Sequence, residues 1–330
     1  MGAFPRREEE RRASAGQEEG AMAKAGKAGK RVAVIGLGRM GGLMAKHLAA
    51  AGYRVSGYDP SPAAAAAAGR NGVATARSAA EAARGAEVVC SSLPTVEAVR
   101  DTYLGRAGLL AALERGTVVF EHSTSEVGLA REIAAAARKR GVAFLDAPVS
   151  GSVPHLTARQ VSAIVGGDKR ALDRHSDVLR VFSKSITYMG PAGNGLIMKL
   201  VTNHILGIHH AGMAEGLALG VKAGLEPKKM MTFLAQSALT GLWTYRGPEM
   251  AARDYSRVVS EVNISKKDMG LSVEEAAGRC VPVPLGVAAR QQYVAAAALG
   301  LARADFNTVF EAYIHAMGGK VKQRGVARAK

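Results

Sequence analysis

From residue 31 to about residue 190, short apolar runs alternate with alanine-rich stretches of helical character. Seven runs read as strands: 31–36, 54–59, 87–92, 117–122, 143–149, 161–165 and 186–189. Strands alternating with helices predict an α/β domain with a parallel, doubly wound sheet. The last runs are spaced differently and predict an antiparallel edge. After Gly195 the pattern changes. Over 195–225 apolar residues recur at helical spacing with few turn signals before Gly224, which predicts one helix of about 45 Å at 1.5 Å per residue. That exceeds what one small domain needs, so this helix reads as a connector that also enters a second, all-helical domain. Further helical patterns follow at 227–238, 264–279 and 285–302. The expected division is an extension at 1–30, the α/β domain at 31–193, the all-α domain at 194–319 and a basic tail at 320–330.

Composition narrows the function classes. Hydrophobic residues at 48% and charged residues at 22% describe an ordinary globular chain. Cys90 and Cys280 form no metal-ligand spacing and no disulfide framework, so both read as buried thiols in a reducing, cytoplasmic compartment. The formal charge of +16 invites a nucleic-acid reading. Its distribution weakens that reading, because the two ends supply part of the excess and the rest is spread through the body. The opening 1–30 lacks apolar periodicity and reads as disordered. It has no apolar core of a secretory signal, and Glu8, Glu9, Glu10, Glu18 and Glu19 are out of place in a mitochondrial presequence. Arg6 breaks a myristoylation pattern, and Met22, just before the ordered pattern, is a candidate start. No apolar run approaches the ~20 residues of a membrane span.

The candidate chemistry begins where the first strand closes. Gly36-Leu37-Gly38-Arg39-Met40-Gly41 is a G-x-G-x-x-G turn that ends an apolar strand and opens a helix, the context this motif requires. The first glycine permits the tight turn, the second lets backbone approach a pyrophosphate, and the third allows close helix–strand packing. The helix start then offers free N–H groups to phosphate. Asp59 ends the second strand eighteen residues after Gly41. A carboxylate there accepts hydrogen bonds from both adenosine-ribose hydroxyls and repels a 2′-phosphate, which favours NAD over NADP. The bland readings are a tight βα turn without ligand and an Asp that opens a turn before Pro60.

Three further segments resemble the β-hydroxyacid (3-hydroxyisobutyrate) dehydrogenase family. Phe144-Leu145-Asp146-Ala147-Pro148-Val149-Ser150-Gly151 is similar to its substrate-binding segment. From Gly190 to Asn203 the chain fills every fixed position of G-x-x-G-x-G-x-x-x-K-x-x-x-N, with Lys199 as the lysine. Lys266-Lys267-Asp268-Met269 resembles the family's K-D-L element, and Leu93-Pro94 and Ser123-Thr124 match strand ends that face the nicotinamide. The resemblance covers about residues 31–316. It implies a Rossmann domain, a helical domain used in homodimers or homotetramers, and reversible oxidation of a small 3-hydroxy acid to its semialdehyde. It further implies Lys199 as general acid/base, Ser150, Gly151 and Asn203 on the substrate, and Leu93, Pro94, Thr124 and Lys267 on the cofactor. Physical chemistry agrees. Lys199 and Asn203 are i and i+4 on one helix face, and an ammonium stabilises the charge on a carbonyl oxygen that accepts hydride. Gly193 and Gly195 read as clearing space for the cofactor and the helix start.

Some positions depart from that pattern. Ser152, His155, Leu156, Arg159 and Gln160 stand where the family commonly has small residues, so the substrate is open, and Arg159 is a candidate partner for a second substrate anion. Glu121 replaces a common Asp, with little predicted effect. His204, His209 and His210 do not share one helix face and read as core or interface residues rather than metal ligands. Trp243, Tyr245 and Arg246 follow an expected helix end, and Arg246 is a weaker candidate for a substrate anion. An imine reductase and a chromatin-associated protein with a retained dehydrogenase domain are the competing functions. Lys199 argues against both.

Overall fold

The computed structural model describes residues 29–106, 108–236 and 240–322. The extension at 1–28 with Met22, the tail at 323–330, and the side chains of Trp243 and Tyr245 lie outside the described set. The chain divides into two compact units, with the boundary between Leu196 and Ile197.

The first unit begins with β1 (Arg31–Ile35), α1 (Gly41–Ala50), β2 (Arg54–Tyr58), α2 (Pro62–Gly69), β3 (Ala74–Thr75) and α3 (Ala79–Ala83). It continues with β4 (Val88–Ser91), α4 (Val96–Leu104), α5 (Leu109–Ala112), β5 (Val118–Glu121), α6 (Val127–Lys139) and β6 (Ala143–Asp146). After β7 (Val149–Ser150) come α7 (Val153–Thr157), β8 (Val161–Gly166), α8 (Lys169–Arg180) and β9 (Ser183–Gly190). Among the described residues these strands form one nine-stranded sheet, in the order β3-β2-β1-β4-β5-β6-β8, with β7 and β9 also pairing β8. Strands β1 to β6 run parallel in the 3-2-1-4-5-6 order of a Rossmann domain. β8 is antiparallel to β6 and β7, as the changed spacing predicts. The parallel strands are apolar on both faces because helices cover both: Val32, Val34, Val88, Cys90, Val118 and Phe120 are buried on one face, and Ala33, Ile35, Val89, Val119 and Phe144 on the other. The helices start where their sequences supply caps. Thr95 accepts from the Ala98 amide at 3.1 Å and Asp168 from the Arg170 amide at 2.8 Å. The short β3 carries no apolar pattern of its own, and the sequence does not predict it.

Strand register lines up the ends of the sheet. Ile35 pairs with Tyr58 and with Ser91, Ser91 with Glu121, and Glu121 with Asp146. One row of residues therefore runs across five strands at their C-terminal ends, where ligands bind in open α/β sheets.

The helix α9 (Asn194–Lys222) opens in the first unit and runs for 29 residues, ending at Gly224 with φ +88°, a left-handed stop that suits glycine. The second unit adds α10 (Pro227–Leu234), α11 (Thr240–Ala251), α12 (Val262–Gly278), α13 (Pro284–Ala296) and α14 (Val309–Ala316). Its core packs Met213, Leu217, Met250, Val262, Met269, Tyr293, Val309 and Phe310. The sequence pattern does not predict α11 and α14, and the single helix it predicts over 285–302 is broken at Gly300, where φ is +81°. Among the described residues no helix is long and apolar enough to cross a membrane.

Candidate active site

The glycine turn is dictated by backbone crowding. Gly36 has φ +85°, and a Cβ there would collide with the Ser92 carbonyl; a Cβ on Gly41 would strike the Gly36 carbonyl oxygen. Around Gly38 nothing lies within 4 Å of the corresponding position, which leaves open space where a pyrophosphate has to approach. The first turn of α1 holds no acidic side chain, and Met40 at its N-cap makes no side-chain capping bond, so no side chain of that turn competes with an anion there. These residues fit a dinucleotide. Leu37 is buried; Arg39 is exposed beside Gly38.

Asp59 has a part that the sequence did not reveal. Its Oδ2 accepts the Leu37 amide at 2.7 Å and its Oδ1 the Ser61 amide at 2.8 Å. A carboxylate has about four lone-pair sites, so ribose hydroxyls can still be bound. The same side chain also ties the end of β2 to the glycine turn.

Along the same edge, Leu93 and Thr124 are half-buried and Pro94 is exposed. Glu121, for which the sequence offered little predictable effect, is heavily engaged. It is 1% exposed and accepts the Ser123 amide at 2.7 Å, while Ser123 Oγ accepts the Leu93 amide at 2.7 Å. Burial pushes its carboxyl above the usual range, against hydrogen bonds from Ser123, Ser91 and Tyr103. Only its position one strand away from Ser91, which tertiary pairing creates, marks it.

Asp146 is fully buried and holds the entry to α9. It accepts the Gly193 amide at 2.7 Å through Oδ1 and the Leu196 amide at 2.8 Å through Oδ2. The expectation that Gly195 clears space for cofactor needs correction. A Cβ there would come within 2.7 Å of the Asp146 and Ile164 carbonyl oxygens, so the protein's own backbone demands glycine.

In the family's substrate segment, Ser150 ends β7 and Gly151 follows at φ +127°. Of the bulkier residues beyond them, His155 and Leu156 lie in α7, Ser152 is its N-cap, and Arg159 and Gln160 follow its end. The Ser152 amide and the His155 ring close a capping box, with Ser152 N donating to His155 Nδ1 at 3.3 Å. Arg159 is exposed in left-handed backbone, with φ 58°, and its Nε donates to His47 Nδ1 at 3.4 Å. The guanidinium is thus tied to α1.

In the second unit, Lys199 and Asn203 sit one turn apart on α9, both half-buried. Asn203 Nδ2 donates to Asp268 Oδ2 at 2.7 Å, and Lys267 Nζ lies 3.1 Å from Asp268 Oδ1. Burial lowers the Lys199 ammonium below the ordinary lysine range; Asp268 opposes that shift and Lys267 reinforces it. The unit therefore groups Lys199, Asn203, Lys267 and Asp268 from two motifs 65 residues apart. In the sequence Asp268 stands out only as part of a motif, with no role attached to it.

Arg246 is not a substrate ligand. It is 1% exposed and pairs with Asp305 at 2.5 Å and Glu249 at 3.1 Å. His204 meets Ser272 Oγ at 2.9 Å, His209 is exposed, and His210 is buried against Phe306. Among the described residues no cluster of His, Cys, Asp and Glu could hold a metal ion. Cys90 is buried, its thiol pushed up to about 12, whereas Cys280 is exposed, contrary to the reading of two buried thiols.

Comparison with known proteins identifies the family. The family described as the NAD binding domain of 6-phosphogluconate dehydrogenase matches residues 31–190. The family described as NAD-binding of NADP-dependent 3-hydroxyisobutyrate dehydrogenase matches residues 193–313. An NAD-dependent L-serine dehydrogenase of Pseudomonas aeruginosa is 38% identical over 289 residues, which cover 85% of this chain and 96% of the relative. The structure of the 3-hydroxyisobutyrate dehydrogenase of Mycobacterium tuberculosis with L-serine has a TM-score of 0.78 at 33% identity, covering 87% of this chain and 99% of that one. An imine reductase of a Pseudomonas species shares the fold at 21% identity and a TM-score of 0.57. The glycine turn, the lysine helix and the K-D element thus stand in a chain that belongs to the β-hydroxyacid dehydrogenase family, whose members are NAD(P)-dependent oxidoreductases.

Proposed function

We propose that the protein interconverts a small 3-hydroxy acid and its semialdehyde, with Lys199 as the general acid/base. The observation that carries this reading is the grouping of Lys199, its ammonium disfavoured by burial, with Asn203, Lys267 and Asp268. Gly36, Leu37, Gly38, Arg39, Met40 and Gly41 hold the dinucleotide's phosphates, Asp59 its adenosine ribose, and Leu93, Pro94, Thr124 and Lys267 its remaining contacts. When bound, the nicotinamide supplies the hydride acceptor or donor. In oxidation, the neutral Lys199 amine takes the proton of the substrate hydroxyl as hydride leaves the same carbon. In reduction, the Lys199 ammonium stabilises the oxygen that gains charge and returns the proton. Ser150 and Gly151 hold the substrate carboxylate, and Asn203 orients the hydroxyl.

Asp59 favours NAD over NADP. The α/β unit supplies most of the cofactor contacts, together with Ser150 and Gly151; the helical unit supplies Lys199, Asn203 and Lys267 and serves assembly into a homodimer or homotetramer; the compartment is the cytoplasm. L-Serine and 3-hydroxyisobutyrate, named for relatives, are the substrate types to try first. Initial rates across a panel of 3-hydroxy acids and their semialdehydes, each with NAD and NADP, test the reading. Turnover of no member of that panel would refute it.

A further inference from the structure

The loops after β4 and β5 are joined through a side chain that the proposed mechanism does not use. Glu121 closes β5, directly opposite Ser91 of β4. Its Oε1 accepts the Ser123 amide at 2.7 Å, and its Oε2 accepts from Ser91 Oγ, which is itself bonded to the Tyr103 hydroxyl. Ser123 Oγ in turn accepts the Leu93 amide at 2.7 Å. One continuous chain of hydrogen bonds therefore runs from Tyr103 on α4, through Ser91 and Glu121, to Ser123 and Leu93. Its far end is fixed by packing, since Tyr103 meets the Phe144 ring edge-on at 5.4 Å. Every member but Leu93 is buried. In such a setting each bond is made without competition from water, and an apolar residue at 121 would strand several buried polar groups at once.

We infer that Glu121 is a positioning residue for the nicotinamide-facing loops. It orients Ser123 so that this hydroxyl holds the Leu93 amide, and thereby sets Leu93, Pro94 and Thr124 without touching the cofactor. The inference rests on the proposed reading of those three residues as cofactor contacts.

The test compares NAD with ADP-ribose, which keeps the adenosine and pyrophosphate but lacks the nicotinamide. Both affinities are measured by calorimetry on the full chain and expressed as a ratio. Glu121→Leu should lower the NAD to ADP-ribose affinity ratio about tenfold, the scale of one lost hydrogen bond. Glu121→Gln retains a carbonyl oxygen for the Ser123 amide and should restore most of the ratio. Ser123→Ala, which deletes one oxygen from the middle of the chain, should lower it as Glu121→Leu does, and carries the test if the leucine variant does not fold. Thr124→Ala controls the underlying reading. A ratio lowered by Thr124→Ala but unmoved by Ser123→Ala and Glu121→Leu overturns the inference while leaving the cofactor assignment intact. A ratio unmoved by all three overturns the assignment of these loops to the nicotinamide, and the inference with it. An equal loss of affinity for both ligands, with a lowered melting temperature, would mean that Glu121 is merely structural, which also overturns the inference.

Discussion

Asp59 accepts the Leu37 amide at 2.7 Å, so the residue proposed to bind the adenosine ribose also braces the glycine turn. Asp59→Ala should therefore do two things: erode discrimination against NADP and weaken binding of both cofactors. The Michaelis constants for NAD and NADP in wild type and variant measure both effects. An unmodified protein that used NADP as well as NAD would end the selectivity assignment.

Lys199→Met keeps the apolar stem of the side chain and removes the charge and the proton. Turnover should fall at least ~100-fold, the lower end of what general acid–base catalysis contributes. NAD affinity should change little. Near-normal turnover on the best substrate would show that Lys199 is not the acid/base. A parallel fall in turnover and NAD affinity would point to a different role.

The charges around Lys199 set the sign of a pH effect. In the oxidation direction the amine must be neutral, so the rate rises with pH through the Lys199 pKa. Burial places that rise below the ordinary lysine range. Asp268 raises the pKa, so Asp268→Asn, which still offers Asn203 an acceptor, should move the rising limb to lower pH. Lys267 lowers it, so Lys267→Met should move the limb the other way. Profiles of kcat against pH at saturating cofactor read both shifts. Movement of both limbs in one direction would refute this electrostatic account.

The C-terminal residues from 320 do not all behave as a solvated tail. Glu311 is fully buried; it is paired with Arg253 at 2.5 Å, accepts the Tyr255 hydroxyl at 2.7 Å, and accepts the Lys322 amide at 2.7 Å. The Lys320 carbonyl accepts from Arg253 at 2.8 Å. Chains ending at 319 should lose about 1 kcal/mol or more relative to chains ending at 322, from the bonds left unmade. Thermal melts of the two truncations check this, and identical midpoints would show that these bonds contribute nothing.

Arg159 is tied to His47, and Arg159→Ala should leave the relative rates on mono- and dianionic substrates unchanged. A selective loss with dianions would restore it as a substrate ligand.

Local chemistry alone specified a good deal of this protein. Periodicity marks the parallel strands, because a strand buried on both faces has to be apolar throughout. It also marks α9, because a long helix repeats its pattern many times. The glycine turn was legible because its motif closes an apolar strand and opens a helix, and Lys199 and Asn203 because they fill fixed positions of a family pattern, with which their i and i+4 spacing agrees. Tertiary structure decided the rest. α11 has Pro248 inside it and a weak local pattern, so only packing against its neighbours shows it as a helix. Arg246 looked available for an anion until folding brought Asp305 to it from 59 residues away. Glu121 looked like a neutral replacement until strand pairing set it beside Ser91, and Asp146 became the holder of α9 only when β6 met residues 193–196. A buried polar side chain takes its role from the partners that the fold delivers to it, and those partners lie too far along the chain for spacing to reveal them.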